Sequence, residues 1–243
     1  MDADGTNQTR VSPFPGSMTA PAWSPDSERV VYVTDGERVV YVTDADGIDR
    51  ARLTSNKGPR GTADFYRPVW SPDGEKIGFA SRTFTLVDSN LPASVGPSKV
   101  RAAVEGLSGI YISNADGTGL CRLTEIDDHT EGFYAEPTWS PDGDKIAFYD
   151  DGAIHVINPD GSGLKRLSST SGSKEAVVPA YPTWSPDGEK LAFSCIYKPP
   201  DVQGGVTLTT DLCVINADGT GRKRIASKVC FEEGQVPTSW GRE

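Results

Sequence analysis

The chain has 243 residues, 24 basic and 34 acidic side chains and a formal net charge of −10. That balance argues against a nucleic-acid partner, because phosphate binding needs basic stripes that release counterions. No apolar run of about 18 residues is present, so nothing is expected to span a membrane as a helix, and the length allows one core-bearing domain over residues 1–243.

The N-terminus, Met1-Asp-Ala-Asp-Gly5, has neither the basic nor the apolar region of a signal peptide. A first Trp-Ser-Pro-Asp segment follows at Trp23–Ser27, and full copies of Trp-Ser-Pro-Asp-Gly stand at 70–74, 139–143 and 184–188. A looser copy, Pro237-Thr-Ser-Trp240, comes last, so the five tryptophans recur at intervals of 47, 69, 45 and 56 residues. A unit of about 45 residues with insertions in two copies matches the size of a propeller blade. A second marker, Asp-Gly, keeps step with the first at 4–5, 46–47, 116–117, 160–161 and 218–219.

Each unit reads as four short strands separated by turn residues. In the first, Glu28–Asp35 is repeated as Glu37–Asp44, and the two copies are expected to pair as second and third strands around Asp35-Gly36. In the second unit an insertion from Arg82 to Ser108 separates those two strands. The third unit shows the plain pattern: Pro137–Ser140, Lys145–Tyr149, Ala153–Ile157 and Lys165–Ser168, with Asp-Gly supplying the positive φ that tight turns need. The fourth carries a smaller insertion, Ile196 to Thr210. Alternation puts Ile77 and Phe79, Ile146 and Phe148, and Leu191 and Phe193 on one buried face of the second strand.

These observations predict an all-β chain, a β-propeller of four-stranded antiparallel blades, four of them complete, with partial units at both ends. The chain opens at a turn between third and fourth strands and stops inside a first strand at Trp240. We therefore expect a fragment of a longer ring.

The combination Pro-x-Trp-Ser-Pro-Asp-Gly-x-Lys-Ile-Ala-Phe with Ile-x-Val-Ile-Asn-x-Asp-Gly-x-Gly-x-x-Arg-Leu resembles the TolB-type β-propeller repeat over nearly the whole chain. The resemblance implies a propeller scaffold that docks protein partners in the periplasm or outside the cell. Related propellers sit beside prolyl-oligopeptidase-type peptidase domains. The matching residues build blades, and fold alone does not assign a function.

No catalytic set is legible, and the expectation is a protein that is not an enzyme and needs no cofactor. The aspartates Asp26, Asp73, Asp142 and Asp187 each follow a proline, where a carboxylate satisfies nearby backbone amides. Asp2-Ala-Asp-Gly5 and Asp44-Ala-Asp-Gly47 lack the spacing and the closing Glu of a calcium loop. Gly106-Leu-Ser-Gly-Ile110 misses the last glycine of a nucleophile elbow. His129 and His155 have no evident serine or cysteine partner, and Asp127, Asp128, His129 and Glu131 read as a solvated loop before a cation site. Cys195 and Cys213 lie on neighbouring strands of one blade, so they either form a disulfide in an oxidising compartment or remain thiols. Cys230 is an alternative partner for Cys213, Cys121 has none in view, and the spacing is not that of a zinc site.

The connections into each first strand vary while the blades stay constant, and binding residues concentrate on such loops. They hold Phe65, Tyr66 and Arg67, then Phe133, Tyr134 and Glu136, then Tyr181, expected at one rim of the propeller channel. There they either cap the inner strands or bind a protein or peptide, aromatic and Arg side chains being those that recognition surfaces favour. The rival reading makes the chain the substrate-gating propeller of a larger hydrolase.

Overall fold

The computed structural model describes residues 18–34, 38–54, 63–83, 108–124, 136–168, 176–198 and 209–226. The chain divides into two compact units, Met1–Asp128 and His129–Glu243. Each holds two four-stranded antiparallel sheets, strand order following chain order, and the described residues contain no helix.

In the first unit, sheet one is β1 (Met18–Trp23), β2 (Arg29–Thr34), β3 (Val40–Asp44) and β4 (Arg50–Arg52); sheet two is β5 (Ala63–Trp70), β6 (Lys76–Thr83), β7 (Gly109–Asn114) and β8 (Cys121–Arg122). The duplicated segments pair as expected, with Val31 opposite Val42 and Tyr32 opposite Tyr41. Their Asp35-Gly36 turn lies outside the described residues. Both faces of β2 and β3 are apolar, and both are buried: Val31, Tyr32 and Val40 are 0% exposed. The core they share with Phe65, Trp70, Ile77 and Phe79 is what a blade buries on each side.

The second unit repeats the plan with β9 (Thr138–Trp139), β10 (Ile146–Asp150), β11 (Ala153–Ile157) and β12 (Lys165–Arg166), then β13 (Ala176–Trp184), β14 (Lys190–Lys198), β15 (Thr209–Asn216) and β16 (Lys223–Ala226). The fourth-blade insertion is shorter than Ile196–Thr210: Ile196 pairs with Thr210 and Tyr197 with Thr209, so strand pairing continues into it. Cys195 and Cys213 are joined by a disulfide between β14 and β15, their Cα atoms 6.1 Å apart. Cys230 lies outside the described residues, and Cys121 is an exposed free thiol.

The Trp-Ser-Pro-Asp-Gly signature builds a turn and a joint. In the turn the Ser71 hydroxyl donates to Asp73 at 2.5 Å and the Glu75 amide donates to the same carboxylate at 2.9 Å. These bonds hold the Asp73 carboxyl below its ordinary range, the serine contributing most, and Asp26, Asp142 and Asp187 are held the same way. Their acceptor capacity thus goes into the turn, as the sequence reading had it.

The joint links consecutive sheets within each unit through three contacts. The indole N–H of Trp70 donates to the Ala22 carbonyl, and that of Trp184 to the Thr138 carbonyl, each at 3.2 Å. Leu53 packs under the backbone of Gly117 and Leu167 under that of Gly219, so closely that a Cβ at these glycines would lie 3.1 and 3.4 Å from the leucines. Pro25 faces Gly74, and Pro141 faces Gly188, at 3.6 and 3.7 Å from where a Cβ would stand.

Candidate functional site

In the first unit a cavity of about 450 Å³ opens beside the first strands of the two sheets. Thr19 and Ala20 of β1 and Val33 of β2 line one side, Arg38 enters from the start of the third strand, and Phe65, Tyr66 and Arg67 of β5 line the other.

Proline shapes both strand edges. Pro21 and Pro68 have no N–H to give the ladder, and the register shifts there, between Thr19 and Ala22 and between Tyr66 and Val69. Ala20 and Arg67, each just before its proline, take φ of 51° and 48°. This left-handed conformation costs a non-glycine residue about 1–2 kcal/mol, and a bulge of this kind re-aims side chains at a strand edge. Arg67 is exposed as a result, whereas Tyr66 is half-buried.

Beneath the opening lies a charged cluster. Asp64 is 8% exposed, its carboxylate paired with the Arg38 guanidinium and accepting the Tyr66 hydroxyl at 3.0 Å. Burial, then the hydrogen bond to Asp64 and the charge of that carboxylate, push the Tyr66 phenol up to about 12. The phenol therefore stays protonated and donating at physiological pH. The Asp64 charge in turn raises Arg38. The Arg38 side chain remains 53% exposed, and with five N–H donors on the fork it keeps donors available to a ligand in the cavity.

Of the residues singled out in the sequence, Phe65, Tyr66 and Arg67 thus come together, each in a different setting. Phe65 is 6% exposed and packs edge-on against Phe79 at 5.7 Å, so it is largely a core residue with one edge on the cavity. In the second unit Glu136 precedes β9 and is half-buried, and Tyr181 is half-buried at the bulge of β13 with φ of 55°. Tyr181 directly precedes Pro182, and so occupies the repeat position of Arg67; the counterpart of Tyr66 is Ala180. Phe133 and Tyr134 lie outside the described residues, as do His129 and its acidic neighbours. His155 stacks on Phe148 at 5.5 Å; burial, then the nearby Arg166, push its pKa down. Among the described residues no three His, Cys, Asp or Glu side chains converge on a metal position.

Arg38 and Asp64 were not legible as site residues. They are 26 positions apart, and Arg38 is the duplicate of Arg29, which lies over the Trp70 ring at 4.8 Å. Only the tertiary structure separates their roles.

Four-stranded meanders joined through a repeated tryptophan, with a cavity at the strand edges, define the chain as β-propeller blades. Among solved structures it is similar to TolB from Acinetobacter baumannii, at 21% identity over 93% of this chain and 58% of TolB, with a TM-score of 0.53. It is also similar to an oligogalacturonate lyase from Vibrio parahaemolyticus (13% identity, 89% of this chain, 55% of the lyase, TM-score 0.59). A third likeness is to a puromycin hydrolase (15% identity, 87% of this chain, 29% of the hydrolase, TM-score 0.54). The chain spans little more than half the length of TolB and of the lyase, and less than a third of the hydrolase. No protein-family model matches it.

Proposed function

We propose that the chain is a noncatalytic recognition scaffold that binds a protein or peptide at the cavity of the first unit. The observation that carries this reading is the cavity itself: an apolar edge from Phe65 and Val33, a neutral phenol and a half-exposed guanidinium, with the one buried carboxylate already paired. That lining suits a peptide segment, whose carbonyls accept from Arg38 while an apolar side chain rests against Phe65. It offers no nucleophile and no unpaired acid or base to a substrate. The disulfide and the likeness to TolB support an oxidising, extracytoplasmic setting.

Panning a random-peptide display library on the wild-type protein and on a doubly substituted Arg38→Ala, Tyr66→Ala protein tests this. Peptides enriched on the wild type alone are expected, with circular dichroism unchanged; identical enrichment on both proteins would refute the assignment.

The second reading, a gating propeller within a larger hydrolase, is supported by the likeness to the puromycin hydrolase. Adding a separately expressed hydrolase domain of the same gene and observing stable association would favour it.

A further inference from the structure

Two large apolar side chains are exposed at positions where their repeat equivalents are buried. Trp23 is 59% exposed, against 8% for Trp70 and 6% for Trp184. Ile225 is 57% exposed, whereas Leu53 and Leu167, at the same place after the arginine of the fourth strand, are 6% and 7% exposed.

These are the two halves of the joint described above. Its leading half, on the earlier sheet, is a carbonyl before the tryptophan, a turn proline and an aliphatic knob: Ala22, Pro25 and Leu53 in one unit, Thr138, Pro141 and Leu167 in the other. The sheet β13–β16 carries the equivalent set, Thr183, Pro186 and Ile225. The trailing half is a tryptophan and two left-handed turn residues: Trp70, Gly74 and Gly117, or Trp184, Gly188 and Gly219. The sheet β1–β4 carries Trp23, Ser27 and Gly47. Ser27 already has φ of 63° and Gly47 of 77°, close to their counterparts at 72° and 84°. A Cβ at Gly74 or Gly188 would stand at ordinary contact distance from the proline, so a serine fits there.

We propose that the tryptophan-bearing face of β1–β4 docks the Ile225 face of β13–β16 from a second copy of this chain. The occupant is a second copy because the chain displays both halves of a joint that it makes twice internally. The Trp23 indole donates to the Thr183 carbonyl of the other copy, Ile225 seats under Gly47, and Pro186 covers Ser27. The two faces differ, so the contact is heterologous, and each copy offers one of each.

Sedimentation velocity of the full chain over a concentration series tests the proposal. Concentration-dependent association is expected, weakened at least about tenfold by Trp23→Ala and, separately, by Ile225→Asp. Because Ile225 is exposed, Ile225→Asp leaves the monomer folded, which circular dichroism verifies. Mixing the two variants restores one intact joint and yields a dimer that grows no further. In a Cys121→Ser background, Ser27→Cys and Pro186→Cys chains mixed under oxidising conditions cross-link into a dimer. A wild-type chain that stays monomeric overturns the proposal. So does unweakened association of Ile225→Asp, and so does an internal cross-link at monomer mass when one chain carries both cysteines.

Discussion

Replacing the same repeated residue at two sites separates packing from mere presence of the motif. Trp184 is 6% exposed and donates to Thr138 at 3.2 Å, so Trp184→Ala removes a nearly complete burial, empties a cavity and orphans a carbonyl. Substitutions of this class cost about 3–5 kcal/mol, of which the hydrogen bond is about 1. Trp23 is 59% exposed and buries less than half as much, so Trp23→Ala is expected to cost about 1 kcal/mol. Against a typical total of about 5–15 kcal/mol the first loss is a large share and the second a small one. Urea titration followed by far-ultraviolet circular dichroism, at concentrations where the chain is monomeric, reads the difference. With a slope near 2 kcal/mol/M, the midpoint falls by about 1.5 M or more for Trp184→Ala and about 0.5 M for Trp23→Ala. Equal shifts, or a larger one for Trp23→Ala, would refute the reasoning that the joint, rather than the tryptophan-bearing turn, holds neighbouring blades.

Asp64→Asn is expected to bring the Tyr66 phenol down from about 12 only part of the way, because burial is the larger cause and stays in place; titration of the tyrosinate absorbance checks this. His155 has its folded pKa below the ordinary 6.5, so its neutral form stabilises the fold above that pH, and stability falls as pH drops through the folded value. His155→Phe should flatten this part of the dependence of the urea midpoint on pH. Reducing the Cys195–Cys213 disulfide, which closes a loop of sequence separation 18, is expected to cost about 3 kcal/mol. Thermal unfolding with and without reductant measures it, and a Cys195→Ser, Cys213→Ser protein should match the reduced wild type.

The blades could be read because their determinants are local. Ser71, Asp73 and Glu75 close a turn by hydrogen bonds spanning a few residues, and the alternation around Ile77 and Phe79 needs no distant partner to fix its face. The limit of the fourth-blade insertion was less legible: the strand signal of Ile196 and Tyr197 continues until Pro199 and Pro200 forbid further pairing, and the pairing follows it that far. The rim residues were found by their distance from proline, which puts Tyr66 and Tyr181 in the same loop yet not at the same bulge position. Arg38 and Asp64 were invisible for a different reason. Nothing in either segment signals the other, and the duplication that produced Arg29 and Arg38 hides how differently the fold uses them.

The tryptophan joint also bears on how such a chain can change in length. Each blade carries its own acceptor on one side and its own donor on the other, so a segment copied in tandem arrives with both fittings already matched to its neighbours. Gaining or losing a whole blade then demands no new complementary surface, whereas splitting one in the middle strands half a fitting at each end. Duplication in whole units is the step that this architecture tolerates, and the strand-edge loops, which take no part in the fittings, are left free to diverge.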